Sequence, residues 1–352
     1  MRRTADSSFS KLDENLNLDP FVRLKAQNVH NTIREDLAKT GLIAGSFLQG
    51  SFARKTMLKP LKDVDIVCLL PAYKWGLLCG PDGPGAAMGS FKAPLKDRWP
   101  DIQFDVGDEP AGKALRLTLT GVDFTIDLVP AFDTEDDYVL IGDRFDGTWE
   151  PSNTRIQLKR VSDRNQATDG QFVHQVRELK SFTKHHGELG FVTGIVMESL
   201  TYAVVDRKML DKDAVAAVLE HAKDAVKGRV LEPAGEDDVS AKWTAEERQT
   251  AARVFADASH KAAEAIELER AGDMDGAISV WHSMFGDAFP EAPNRPVADV
   301  MAAFAAGSIS SAGRPSTTTA ARQASAPGRS WLRSFGDGTV SVCDQPGKWA
   351  SR

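Results

Sequence analysis

The chain has 352 residues, a formal net charge of −7, 42% hydrophobic and 26% charged residues, and three cysteines. At this length such a composition suits two or three globular domains or one large two-lobed unit. The acidic balance excludes a duplex-coating role, which rests on many phosphate contacts from Lys and Arg. Cys68, Cys79 and Cys343 fit no zinc spacing and no disulfide framework, which suits a reducing cytoplasm. No stretch approaches the ~18 apolar residues of a membrane span. The N-terminal MRRTADSSFSKLDENLNLDP lacks the apolar core of a signal peptide.

Residues 1–20 are polar and are expected to extend over the surface. Phe21, Leu24, Val29, Ile33 and Leu37 recur at helical spacing, and Gly41 stops that helix. A strand over 42–49 leads into the Gly50-Ser51 turn, with a short helix beginning in 51–57. Pro60 interrupts before an apolar strand over 64–70, and Pro71 ends it. Residues 72–100 read as irregular, with GPDGPGAAMGS (80–90) as a loop. Leu115, Leu117 and Leu119 alternate with Arg116, Thr118 and Thr120, so a half-buried strand is predicted. Gly121 turns the chain, and 124–129 returns antiparallel.

From about residue 170 the pattern is helical, with helices predicted over 170–186, 193–205 and 212–227. A polar loop over 232–240 includes Glu236-Asp237-Asp238, read as a solvated acidic run. Thr244 and Glu247 form a capping box that opens a helix to Arg270, and one more helix covers 274–285. Residues 307–330 are rich in Ser, Ala, Thr, Gly and Arg and are expected to be disordered.

The chemistry concentrates in three carboxylates. Strand side chains alternate faces, so Asp63 and Asp65 project to one side while Val64, Ile66, Cys68 and Leu70 face a core. Two carboxylates this close repel unless a cation sits between them, and such oxygens suit Mg2+. Asp127 stands on a second strand with the same alternation. If the strands are neighbours, Asp127 joins the pair, and three carboxylates can hold two metals. Gly50-Ser51, between a strand and a short helix, can offer N–H groups and a hydroxyl to phosphates. Trp149 and Trp281 read as packing residues, and His185 and His186 as surface or local packing residues.

With these residues in place, the chain resembles the DNA polymerase β-like nucleotidyltransferases, and within them the bacterial cGAS/DncV-like nucleotidyltransferases of anti-phage (CBASS) signalling. The resemblance rests on Gly50-Ser51-Phe52-Ala53-Arg54-Lys55-Thr56, on Asp63-Val64-Asp65-Ile66-Val67, and on Thr125-Ile126-Asp127-Leu128-Val129-Pro130-Ala131-Phe132. It extends to Val176-Arg177-Glu178-Leu179-Lys180 and covers about residues 20–305. It implies an α/β, bilobal polymerase β-like nucleotidyltransferase cage with a mixed sheet and a C-terminal helical bundle, its active site in a cleft. The lobes would be a catalytic lobe at 1–169, a helical lobe at 170–306 and a partly disordered tail at 307–352.

The resemblance assigns Asp63, Asp65 and Asp127 to two Mg2+ ions, with Mn2+ as an alternative. Gln49, Gly50, Ser51, Lys180, Lys184 and Thr193 would bind nucleotide, with Arg54 beside the donor. The implied activity joins NTPs (ATP and others) into a cyclic oligonucleotide second messenger. The product would act on a separate effector protein, with a regulatory protein partner and no membrane. Rival readings are transfer of AMP or another NMP to a protein or RNA end, or a catalytically silent nucleotide sensor.

Overall fold

The computed structural model describes residues 3–105 and 110–293. The expectations for the tail at 307–352 lie outside the described residues. In chain order the elements are α1 (Ala5–Leu16), α2 (Pro20–Lys39), β1 (Gly45–Gln49), α3 (Gly50–Ala53), β2 (Asp63–Leu70), α4 (Trp75–Leu78), α5 (Gly83–Arg98), β3 (Gln103–Phe104), β4 (Leu115–Thr118), β5 (Thr125–Asp133), β6 (Val139–Asp143), β7 (Thr148–Ser152), α6 (Thr154–Ala167), α7 (Gln171–His185), α8 (Gly194–Val204), α9 (Asp211–Ala225), α10 (Ala245–Arg270) and α11 (Met274–Phe285). They form two compact units. One comprises Leu18–Gln166 with Leu231–Asp238, and the other comprises residues 3–17, Ala167–Val230 and residues 239–293.

The first unit is built on a mixed sheet in the order β1-β2-β5-β4-β3, extended by β6 and β7 from the far end of β5. β2 and β5 run parallel, and the other pairs are antiparallel. Val64, Ile66, Cys68 and Leu70 of β2 join Ile126, Leu128 and Phe132 of β5 in one apolar layer. The buried residues of α2 (Ala26, Ile33, Leu37) and α5 (Ala87, Met88, Phe91, Leu95) pack into that same layer. The opposite face carries Val67, Val129 and Ala131, continued by Val139 and Ile141. Trp149 is buried edge-on to Phe132 and Trp75, and its indole N–H donates to the Leu78 carbonyl at 2.7 Å.

Two segments differ from the sequence reading. Gly83–Arg98 is a helix, so only residues 80–82 of the expected 80–90 loop are turn or bend. Pro84 stands in its first turn, where a missing N–H costs nothing, and Ala87, Met88, Phe91 and Leu95 make the buried stripe. The glycines and prolines conceal that periodicity. The N-terminus is likewise not extended. Thr4 and Ser7 form reciprocal capping bonds, and Ala5, Ser8, Phe9, Leu12 and Leu16 bury one face of α1. Helix α6 also arises from a stretch the sequence reading left unassigned.

In the helical unit, Phe9 meets Trp281, Phe285 and Phe289 edge-to-face, with ring centroids 5.0, 5.9 and 5.1 Å away. Trp281 is a core residue, as expected. His186 packs against Phe182, and its Nε2 lies 3.1 Å from the Met284 carbonyl oxygen. Thr244 and Glu247 make the predicted capping box at the start of α10.

Glu178 on α7 is fully buried, and neither carboxylate oxygen has a hydrogen-bond partner among the described residues. Burial pushes its pKa well above the ordinary value, and the nearby Asp211 and Asp13 push it further. The folded state therefore binds a proton that the unfolded chain has released, so stability falls as pH rises from the unfolded value through the folded one. Glu178→Met removes that penalty. It is expected to stabilise the protein by about 1–2 kcal/mol at neutral pH, with a smaller gain at pH 5. Thermal melts across that pH range check this, and an unchanged or lowered Tm at pH 8 would contradict it.

Candidate active site

β2 and β5 lie side by side in parallel register, which sets Asp63 against Thr125 and Asp65 against Asp127. The three carboxylates thus share the face opposite the layer in which α2 and α5 pack. Asp65 and Asp127 are each 3% exposed, and Asp63 is half-buried. β1 runs antiparallel to β2 and sets Gln49 opposite Asp65. Gly50 then starts the single turn α3 at φ +72°, and a side chain built on it would place its Cβ 2.0 Å from the Asp65 Oδ2. Gly50 is therefore the floor on which the Asp65 carboxylate rests. Ser51 follows in the first turn, where helical N–H groups have no acceptor within the helix.

Electrostatics make this cluster costly without a cation. Burial raises the pKa of Asp65 well above its ordinary value, and the charges of Asp63 and Asp127 add to the rise, while Arg54 and Arg116 oppose it. Asp63 is raised by burial and then by Asp127. Arg116 on β4 sits opposite Asp127 in the antiparallel register. Its Nε and Nη2 donate to the two Asp127 oxygens at 2.9 and 2.8 Å, a bidentate fork. That bond raises the pKa of Arg116.

The residues fit a hard divalent cation. The donors are carboxylate oxygens, the type Mg2+ prefers, and their mutual repulsion is the penalty an ion would relieve. The close seat of Asp65 on Gly50 keeps its carboxylate beside the Gly-Ser turn. As the side chains stand, no three His, Cys, Asp or Glu among the described residues are grouped to hold an ion. Both Asp127 oxygens are engaged by Arg116 instead.

Of the other expected site residues, Gln49 joins the cluster. It is 2% exposed, and its amide Nε2 has no partner among the described residues. Lys180, Lys184 and Thr193 belong to the helical unit. Lys180 is buried, 3.5 Å from Glu198, with its stem against Gly194 next to Thr193. Thr193 is the N-cap of α8 without a capping bond from its side chain, and Lys184 is exposed.

The acidic run is not simply solvated. The buried Asn153 amide donates to Glu232 and Glu236 at 3.1 Å and to Asp237 at 3.4 Å, and the Tyr138 hydroxyl donates to Glu236. Burial and the neighbouring Glu232 and Glu236 push Asp237 up to about 6. Sequence reasoning also missed the fork of Arg116. Its alternation with Leu115 and Leu117 placed it on the polar face of a strand, but its partner follows from strand order.

Residues 3–165 match the family model described as the Second Messenger Oligonucleotide or Dinucleotide Synthetase domain. A probable cyclic nucleotide synthase of Bacillus cereus is 23% identical over 341 residues, covering 82% of this chain and 99% of that protein. Among solved structures, Escherichia coli CdnC with ATP superposes with a TM-score of 0.64 at 14% identity, covering 80% of this chain and 98% of its own. The Bradyrhizobium diazoefficiens CD-NTase CdnG in complex with GTP gives 0.60 at 13% identity, over 80% and 96%. The carboxylate-bearing strands lie within the residues that match the Second Messenger Oligonucleotide or Dinucleotide Synthetase domain, and the chain has the fold of the CD-NTases.

Proposed function

We propose that this chain joins NTPs into a cyclic oligonucleotide second messenger in anti-phage defence. The observation that carries the reading is the register of Asp65 against Asp127, with Asp63 and the Gly50-Ser51 turn on the same side. The family match supports it. Asp63, Asp65 and Asp127 would hold Mg2+, which when bound lowers the pKa of an attacking hydroxyl and neutralises charge on a leaving pyrophosphate.

The chain's own residues do the rest by position. The Gly50 and Ser51 N–H groups and the Ser51 hydroxyl grip the outer phosphates of the donor nucleotide. A ribose hydroxyl of the acceptor attacks the donor α-phosphorus, the bond to the β-phosphate oxygen breaks, and the proton of the hydroxyl passes toward Asp127. Repetition between the two ends of the linear product closes the ring. Catalysis is then mostly positioning and charge complementarity.

The product would act on a separate effector. A regulatory protein partner is part of the reading, in line with CdnC, which has been solved as a complex with HORMA-deltaN. Among the described residues no helix is long and apolar enough to cross a membrane.

The test is incubation of purified protein with Mg2+ or Mn2+ and four radiolabelled NTPs, followed by phosphatase. A small phosphatase-resistant product is expected. Label transferred to protein or RNA would instead favour end-labelling, and nucleotide binding without pyrophosphate release would identify a silent sensor.

A further inference from the structure

Arg116 stands out because the proposed chemistry does not use it, yet it occupies both oxygens of a carboxylate that the chemistry needs. The pair is unequal. The Asp127 side chain is 4% exposed and sits in the middle of β5, flanked by β2 on one side and β4 on the other, so it has little room to move. The Arg116 side chain is 28% exposed and ends in a long flexible stem, so it can swing to solvent. With three buried or half-buried carboxylates on one face, removing the guanidinium without replacement would leave their repulsion uncompensated. While it is in place, the guanidinium beside Asp127 also opposes the arrival of any second cation there.

We infer that Arg116 is the resident counter-ion of Asp127 and competes with the divalent cation for it, so that loading the site exchanges guanidinium for metal. Arg116 is on this account a positioning residue. It holds both Asp127 oxygens on the sheet face in the metal-free protein. It also sets the metal concentration at which the site fills. The inference rests on the metal reading of the three carboxylates, and the experiment separates the two.

Mn2+ binding is measured by calorimetry on the full chain, without nucleotide, for wild type, Arg116→Gln and Arg116→Lys. A charge-assisted fork lost from the metal-free state should tighten Mn2+ binding on the order of tenfold in Arg116→Gln. Arg116→Lys, a cation that cannot fork, should fall between. The metal-free Tm of Arg116→Gln should drop and be restored by Mn2+ to a larger extent than wild type gains. Binding equal to or weaker than wild type in Arg116→Gln would overturn the competition while leaving the metal site standing. Absence of Mn2+ binding to wild type would overturn the metal reading and the competition with it. Should Arg116→Gln fail to fold, the 15Nε resonance of Arg116 in the wild-type chain is followed through a Mg2+ titration. A saturable shift supports the exchange, and an unmoved resonance at saturation refutes it.

Discussion

Replacing Asp65 with asparagine is expected to abolish nucleotide transfer while making the metal-free protein more stable above neutral pH. The two effects have one cause. Asp65 is buried beside two other carboxylates, so its proton affinity is higher in the fold than in the unfolded chain. Between those two values the folded state carries more protons, and metal-free stability therefore falls as pH rises through that window. Asparagine removes this dependence. Wild type and Asp65→Asn should have similar Tm values near pH 4, and the variant should melt higher at pH 8 in chelator. Mg2+ should reverse the order, because a ligand that binds only the folded state stabilises wild type alone. On the proposed reading, metal held by these carboxylates would contribute several kcal/mol to the transition state, so loss of one ligand should cost about 1,000-fold or more in kcat/KM. Circular dichroism, melts with and without Mg2+, and product assays together check the claim. Substantial product from Asp65→Asn would remove this residue from the catalytic set.

The second large effect is expected from a glycine. Gly50→Ala places a methyl group where the Asp65 Oδ2 now lies, 2.0 Å from the new carbon, at a backbone φ of +72°. The left-handed conformation alone costs roughly 1–2 kcal/mol for alanine, a Tm decrease of roughly 2–8 °C. The clash is relieved only if the Asp65 carboxylate leaves its seat, and that displacement falls on catalysis. A loss of about 100-fold or more is expected, since misplacement of a reacting group by about 1 Å costs that much. Gly41→Ala supplies the control. Its φ is +69°, but no atom lies within 4 Å of the added carbon. It should lower the Tm by a similar amount and leave product formation at the wild-type level. Equal activity losses in the two variants would mean that backbone strain, not the Asp65 seat, governs the site.

Much of this was legible in the chain before any coordinates. The alternation in Asp63-Val64-Asp65-Ile66 separates a polar from an apolar face, and the apolar set does enter the core. The capping box at Thr244 and the stop at Gly41 mark helix ends because each is a local bonding problem with a local solution. The Gly83–Arg98 helix was concealed because its glycines and prolines are strong turn signals, overridden here by four buried side chains at helical spacing. Helix α1 was concealed by its polar composition, although Phe9, Leu12 and Leu16 carry the stripe. What no local pattern could show is which strand lies next to which. Arg116 and Asp127 are eleven residues apart on two sides of a turn, and their fork depends on register. The grip of Asn153 on Glu232 joins residues 79 apart in sequence.

That last contact bears on how the protein is made. Ribosomes release a chain from its N-terminus, and domains tend to fold as they emerge. The sheet-bearing unit has its three carboxylates in hand once residue 127 has appeared, but its final segment, Leu231–Asp238, emerges only after α7, α8 and α9. Until then the Asn153 amide lacks the carboxylates that satisfy it in the finished fold. The helical unit likewise waits, since α1 is synthesised first and its partners Trp281 and Phe285 near the end of the described chain. The sheet-bearing unit therefore waits for residue 238 and the helical unit for later residues still, and a nascent chain halted before residue 238 would hold all three carboxylates without a completed scaffold around them.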